Sequence, residues 1–113
     1  MRLIRKEVSL EELKEIAKDT FGDLVKAVVD VEKEIMVVGG QLHSDEEELL
    51  LKNGSRQENL WGINLYPDLE PAEWIEFDSV INLKPSIGNL TRGVDNPQIR
   101  EKIQRIVNKL VQR

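Results

Sequence analysis

The sequence predicts an α+β fold: a mainly antiparallel sheet of about four strands, with two or three helices packed on one face. Three observations lead to this prediction. Both ends of the chain carry apolar residues at helical spacing, the middle carries valine-rich alternating segments, and turn-forming residues separate the segments. The 113 residues have the length of one domain, 1–113, which can bury a core without disulfides.

The two terminal helices have the clearest boundaries. Ser9 opens a capping-box pattern at the start of a helix over 9–21, and Gly22 supplies its end. Asn96 and Pro97 are residue types that begin helices, and they precede the final helix. Its buried stripe consists of Ile99, Ile103, Ile106 and Leu110.

The segment 24–42 fits two structures. A helix would gather its apolar residues into one stripe, but its many valines fit a pleated sheet better. We therefore predict two strands, over 24–31 and 35–42, which turn at 32–34. The stretch 2–8 is expected to add a short edge strand.

A short helix is predicted over 45–52, because Asp45 is a favourable N-cap and Gly54 can end the helix. The alternative is a strand that turns at Asn53–Gly54. A loop over 85–97 connects the last strand to the final helix.

The two clearest strands lie at 60–67 and 74–85, on either side of a loop with two prolines. Pairing Leu65 with Ile75 places the apolar residues of both strands on one face. The same register gathers polar and aromatic side chains on the opposite face. These side chains are Asn64, Tyr66, Trp74, Glu76, Asp78 and Asn82.

A sheet face of mixed aromatic and acidic character is typical of a binding surface or a dimer interface, and ordinary solvated surface is the alternative. The sequence thus predicts a non-catalytic binding or interaction module, with a homodimer through this face as one form of it. On this hypothesis Trp74→Ala changes the oligomeric state or partner binding and leaves the fold intact.

His43 is the only histidine, and Asp45 lies two residues after it. In an extended chain both side chains point to one side, so they could ligate one metal ion together with Glu76 and Asp78. Such a site would suit a small metal-dependent hydrolase, which is the alternative function. The competing interpretation is structural: Asp45 caps a helix and His43 fills the preceding turn.

The loop KPSIGNLTRG is a second candidate binding segment. Its backbone N–H groups and Arg92 could hold an anion, and Asn89 is a further candidate ligand residue. No nucleotide-binding pattern accompanies it.

The composition limits the classes of function. The absence of cysteine excludes disulfide frameworks, thiolate metal sites and cysteine nucleophiles. No segment approaches the ~18 apolar residues of a membrane span, and the first residues do not resemble a signal peptide. We therefore expect a cytoplasmic protein without a membrane partner.

The net charge of −5 is unevenly distributed: residues 21–83 hold 14 acids and 4 bases, and residues 84–113 hold 7 bases and 2 acids. The acidic part disfavours nucleic-acid binding, because it repels phosphate. A basic row on the final helix could contact phosphate locally. The alternative is that these bases complement the dipole at the end of the helix. The row consists of Lys102, Arg105, Lys109 and Arg113.

Several stretches together resemble a family of small prokaryotic proteins known only as a domain of unknown function. They are FGDLVKAVVDVEKEIMVVGGQLHSDEE, LLLKNGSRQENLWGINLYP, EFDSVINLKPSIGN and NPQIREKI. The resemblance runs from about Leu3 to Leu110 and implies no activity, cofactor or catalytic residue. Gln41 stands where the family carries a Glu after the glycine pair. If that carboxylate binds a metal in relatives, this chain lacks the ligand.

Overall fold

The computed structural model describes residues 1–113. The three α-helices are α1 (Leu10–Asp19), α2 (His43–Lys52) and α3 (Pro97–Leu110). The seven strands are β1 (Arg2–Ile4), β2 (Val8–Ser9), β3 (Val25–Asp30), β4 (Ile35–Val38), β5 (Leu60–Leu65), β6 (Ile75–Glu76) and β7 (Val111–Gln112). Short 3₁₀ turns occupy Gln57–Asn59, Val80–Asn82 and Pro85–Ile87. The predicted α+β class is confirmed.

Five of the strands form one antiparallel sheet in the order β1-β4-β3-β5-β6, and β2 and β7 form a separate parallel pair. The two strands predicted within 24–42 are confirmed as β3 and β4, so the helical alternative is wrong. The predicted edge strand is present as β1, which pairs with β4.

Asp30 stabilises the turn between β3 and β4. Its Oδ1 accepts hydrogen bonds from the backbone N–H groups of Glu32 and Lys33 at 2.9 and 3.0 Å. Its Oδ2 accepts one from the Ser55 hydroxyl at 2.6 Å. These bonds satisfy a buried carboxylate and hold a turn that contains no glycine or asparagine.

The main hydrophobic core lies on the first face of the sheet, under α1 and α3. The sheet contributes Val25, Ala27, Val29, Met36, Val38, Trp61, Ile63 and Leu65, and the helices contribute Leu13, Ala17, Ile103, Ile106, Val107 and Leu110. Two helices therefore pack on one face, as predicted. The third, α2, lies on the second face over the smaller cluster of Val28, Ile35, Val37, Leu50 and Leu60.

Side-chain caps define the starts of α1 and α3. Ser9 Oγ accepts from the Glu12 N–H at 3.0 Å, and Asn96 Oδ1 accepts from the Gln98 N–H at 2.8 Å. Both predicted N-caps are confirmed. The longest helix, α3, has 14 residues, and none of the helices combines the length and apolar character needed to cross a membrane.

The prediction that Asp45 is the N-cap of α2 is wrong. The helix begins at His43, its N-cap is Leu42, and no side chain caps it. Burial fixes this first turn instead, because His43 and Glu46 lie three residues apart and both face the sheet. The predicted end at Gly54 is consistent with the left-handed φ of 92° there.

The prediction of a strand over 74–85 is wrong after Glu76. The register is confirmed, since Leu65 pairs with Ile75 and Asn64 pairs with Glu76. Beyond β6 the chain leaves the sheet and forms the segment 77–94, which we call the asparagine loop.

Candidate functional site

Three predicted site residues form one hydrogen-bonded group at the end of the second sheet face. Asn64 Nδ2 donates to Glu76 Oε1 at 2.8 Å, and the Tyr66 hydroxyl donates to the same oxygen at 3.2 Å. Burial and the negative charge of Glu76 raise the pKa of Tyr66, so its hydroxyl keeps its proton at neutral pH. The predicted polar face therefore exists at this position.

Asp78 and Arg92 close the neck of the asparagine loop. Arg92 Nε donates to Asp78 Oδ1 at 2.7 Å, and the Ser79 N–H donates to the Arg92 carbonyl at 2.9 Å. Both charged side chains are about half exposed, at 46% for Asp78 and 56% for Arg92, so the ion pair contributes at most about 1 kcal/mol. It nevertheless places two opposite charges side by side on the surface.

Trp74 does not belong to this polar face. Its side chain is fully buried in the main core, and the Arg113 guanidinium lies 4.6 Å from the ring centroid. The backbone pairing is as predicted, because the Tyr66 N–H donates to the Trp74 carbonyl at 2.8 Å. Strand alternation fails here because β6 begins only at Ile75. Trp74→Ala would thus remove core packing, at a cost of roughly 3–5 kcal/mol, and is no interface variant.

Asn82 takes the place of a longer β6. Its Oδ1 accepts from the Gly62 N–H at 2.8 Å, and its Nδ2 donates to the carbonyls of Gly62 and Arg92, each at 2.9 Å. The Asn82 amide thereby pairs with both the N–H and the carbonyl of Gly62 on β5. A neighbouring strand would otherwise satisfy these two backbone groups. Asn82 is fully buried, so it anchors the loop and is not an exposed ligand residue.

Asn89 holds the asparagine loop together from inside. Its Nδ2 lies 2.7, 3.2 and 2.9 Å from the carbonyl oxygens of Asn82, Thr91 and Gly93. Its Oδ1 accepts from the Asp95 N–H at 2.8 Å. Because Asn89 is buried, the predicted ligand residue is also a structural anchor. The loop is long, but its backbone conformation is fixed.

Gly62→Ala is expected to destabilise the protein by roughly 2–3 kcal/mol, because β5 has no room for a side chain at this position. An added Cβ would lie 2.6 Å from Ser79 Cβ and Oγ and 3.2 Å from His43 Cγ. Urea unfolding measures the effect. Gly93→Ala is the matched control, since its added Cβ meets only ordinary contacts from 3.4 Å outward, and equal destabilisation by both variants would contradict the packing argument.

His43 lies buried between α2 and β5. Its Nε2 is 2.8 Å from the Ile63 carbonyl oxygen, which requires Nε2 to carry the proton. Burial lowers the pKa of His43, and the positive charge of Lys26 lowers it further. The Ile63 carbonyl and the Asp78 carboxylate raise the pKa and offset part of this shift. The imidazole is therefore neutral at pH 7, and its Nε2–H donates to the backbone carbonyl of Ile63.

Ser79 lies near His43 without forming a nucleophile–base pair. Both side chains approach Gly62, but no hydrogen bond joins them. Ser79 Oγ accepts from the Ile81 N–H at 3.3 Å, and the residue is only 1% exposed. A substrate could not reach this hydroxyl without local opening of the structure.

The predicted metal ligands do not form a metal-binding cluster. Asp45 is exposed in the first turn of α2, whereas His43 is buried against Ile63. Glu76 and Asp78 are engaged by Asn64 and Arg92. No group of three or more histidine and carboxylate side chains in residues 1–113 could hold a metal ion.

Four exposed aliphatic side chains project from the asparagine loop and form what we call the aliphatic ridge: Val80, Leu83, Ile87 and Leu90. Their exposed fractions range from 45% to 70%. Lys84 and Asn89 form an antiparallel bridge and are both buried, so the adjacent Leu83 and Leu90 both point outward. Val80 precedes Leu83 by three residues in a 3₁₀ turn, which places both on one side.

A cleft of ≈ 370 Å³ lies beside the aliphatic ridge. Its walls are formed by Arg56, Gln57 and Glu58 on one side and by Ile81, Leu83, Lys84, Pro85, Ser86 and Ile87 on the other. Lys84 Nζ joins the two walls, because it donates to the Gln57 and Ile81 carbonyls at 3.0 and 3.3 Å. Burial lowers the pKa of Lys84, and Glu47 opposes this shift.

The sequence interpretation missed the aliphatic ridge. The predicted strand over 74–85 places Leu83 on its apolar face, and the loop after it is predicted to bind an anion through its backbone N–H groups and Arg92, with Asn89 as a further candidate. A signal was nevertheless present, because Ile87 and Leu90 are large apolar residues in a segment predicted to be a loop.

Glu46 is a buried carboxyl group on the inner side of α2. Its Oε2 accepts from the Gly40 N–H at 3.0 Å, and its Oε1 has no hydrogen-bond partner. Burial raises its pKa to about 9, against the opposing effects of the Gly40 N–H and the Lys26 charge. Glu46 is consequently protonated and neutral at pH 7.

A known protein family matches most of the chain. A family model described as "Protein of unknown function (DUF5674)" matches residues 2–110, which confirms the resemblance inferred from the sequence. A prokaryotic origin stays a prediction. No curated protein and no solved structure matches the chain.

Proposed function

We propose that this chain, which belongs to the DUF5674 family of proteins of unknown function, acts as a non-catalytic binding module. Its contact surface would consist of the aliphatic ridge, the adjacent cleft and a polar flank formed by Tyr66, Glu76, Asp78 and Arg92. The observation that carries the proposal is the aliphatic ridge: a loop held in one conformation by buried asparagines keeps four aliphatic side chains in solvent.

A partner that covers exposed apolar surface of this kind lowers the free energy, because the apolar side chains leave water. Apolar patches rimmed by polar residues mark interaction sites in soluble proteins. Asn82 and Asn89 fix the loop backbone, so a partner would meet a preformed surface and little ordering entropy would be lost on binding. A disordered loop would lack this advantage.

Three observations support a role without catalysis. The Nε2–H of the only histidine, His43, donates to the Ile63 carbonyl. Ser79, the hydroxyl near that ring, is buried. In the cleft, the Lys84 amine is held by two carbonyl groups. The alternative of a metal-dependent hydrolase has no comparable support, because no group of three or more histidine and carboxylate side chains could hold a metal ion.

The pairing of basic side chains on α3 favours a protein partner over a nucleic acid. Part of the basic row on α3 is neutralised within the chain: Lys109 lies 3.0 Å from Glu34, and Arg105 lies 3.9 Å from it. Binding to nucleic acid would require free cations along one surface. We also propose a cytoplasmic location.

Photo-cross-linking in the cell tests the proposal. A benzophenone amino acid placed at Leu90, which is 70% exposed on the ridge, is expected to give a discrete covalent adduct upon irradiation. The matched control carries the same group at Leu51, which is 41% exposed on α2 and lies outside the ridge.

Adduct formation at position 90 and none at position 51 would support the binding module. If neither position gives a discrete adduct, or both give the same smear of products, the ridge has no specific partner and the proposed function is wrong.

A further inference from the structure

We infer that the partner on the aliphatic ridge and its cleft is a second copy of this chain, an inference that rests on the proposed function. Three features of the surface carry it: the distribution of charge around the ridge, the proximity of ridge and cleft, and the concentration of apolar exposure in one loop.

The charge around the ridge suits contact between identical surfaces. The chain carries a net charge of −5, so most pairs of identical surfaces on it would repel. Around the ridge, however, four of the charges form two opposite pairs, and Glu76 and Asp95 are the neighbouring charges outside these pairs. Arg56 Nε lies 2.9 Å from Glu58 Oε1, and Arg92 Nε lies 2.7 Å from Asp78 Oδ1. The two ion pairs contribute no net charge, so two copies should repel each other less here than at the more acidic surfaces of the chain.

Ridge and cleft lie side by side on one face, an arrangement that allows a self-complementary contact with two-fold symmetry. In such an interface, residue i of one copy contacts residue j of the other, and j contacts i. Leu83 and Ile87 belong to the ridge and also line the cleft. A two-fold axis through this face would place the projecting ridge of each copy against the concave cleft of the other.

Apolar exposure is concentrated in the asparagine loop. Four of the exposed large apolar residues lie within the eleven positions from Val80 to Leu90. The others are Met1, Phe21, Leu42, Leu51 and Leu69, which lie at widely separated positions along the chain. No other stretch of eleven residues in the chain contains as many exposed large apolar side chains.

The expected dimer is weak. A ridge of four aliphatic side chains and a shallow cleft give an interface at the small end of the range for specific complexes. Such interfaces correspond to dissociation constants on the order of micromolar. The protein should therefore pass from monomer to dimer between about 1 μM and several hundred μM.

Sedimentation equilibrium of the full chain over that range tests the inference. The wild type is expected to change from 13.0 kDa to twice that mass as its concentration rises. Leu83→Glu and Leu90→Glu should each stay monomeric, because they place two carboxylates in a desolvated interface. Leu51→Glu, an exposed position on α2, is the control and should dimerise like the wild type.

The outcomes separate the inference from the proposed function. A wild type that stays monomeric, or ridge variants that still dimerise, would overturn the inference. If position 90 then cross-links in the cell to a different protein, the binding module stands and its partner is not a second copy. Should a glutamate variant fail to fold by circular dichroism, cross-linking of the pure protein at position 90 decides: a covalent dimer supports the inference, and its absence overturns it.

Discussion

Asn82→Ala is expected to lower the free energy of unfolding by roughly 3 kcal/mol and to release the asparagine loop from the sheet. The substitution leaves the Gly62 N–H and carbonyl without partners in a buried position, and each such group costs about 1–3 kcal/mol. The Arg92 carbonyl keeps one partner, the Ser79 N–H, so the loop neck is weakened less than β5.

Two measurements check this expectation. Urea unfolding gives the loss of stability, and amide hydrogen exchange reports whether the Gly62 N–H becomes accessible. Asn53→Ala is the matched control, because Asn53 is exposed and its side chain donates a single hydrogen bond, to the Leu49 carbonyl at 2.8 Å. If the two alanine variants lose similar stability, the hydrogen bonds of Asn82 to Gly62 do not replace those of a neighbouring strand.

Loss of the asparagine loop would also remove the aliphatic ridge. Asn82→Ala should therefore reduce cross-linking at position 90, although Asn82 itself touches no solvent. A reduction without any change in stability would contradict the proposed role of Asn82 as an anchor.

Glu46→Gln is expected to abolish a large pH dependence of stability. The folded protein holds the Glu46 proton up to a pKa of about 9, whereas the unfolded chain releases it near the ordinary value of 4.5. Between these pH values the unfolded state binds fewer protons than the folded state, so the free energy of unfolding falls as the pH rises. By pH 7 the loss from this group amounts to about 3 kcal/mol.

Glutamine cannot ionise, but its carbonyl oxygen can still accept from the Gly40 N–H. The variant should thus gain stability relative to the wild type as the pH rises from 5 to 9, and match it near pH 4. Urea unfolding at several pH values measures the difference. Glu48→Gln serves as the control, because Glu48 is exposed on the same helix and pairs with Lys52 at 3.0 Å. Parallel stability curves for the wild type and Glu46→Gln would show that Glu46 is ionised in the fold.

Much of the fold could be predicted because its signals are local. Ser9 and Asn96 cap helices whose first turns follow immediately in sequence, so the pattern and its physical cause lie within a few residues. The alternation in β5 is local too, and the registers of Asn64 with Glu76 and of Leu65 with Ile75 follow from it. The polar group of Asn64, Tyr66 and Glu76 was predictable for the same reason.

The asparagine loop was not predictable in this way. Residues 77–83 alternate well enough for a strand, and the choice between strand and loop depends on Gly62, twenty residues away in sequence. Only there does an open backbone position receive the Asn82 amide. The position of Trp74 and the start of α2 also depend on contacts that are distant in sequence. The Trp74 side chain is buried in the main core, and the His43 and Glu46 side chains are buried against the sheet.

The sequence by itself determined the α+β class, the helix caps, the paired register of β5 and β6 and the family of the chain. The tertiary structure alone decided which side chains reach the surface near β6. It buried Trp74, Asn82 and Asn89 and exposed Val80, Leu83 and Leu90. The physical reason is that a buried backbone group must find a partner, and the nearest available partner for Gly62 was a side chain rather than a strand.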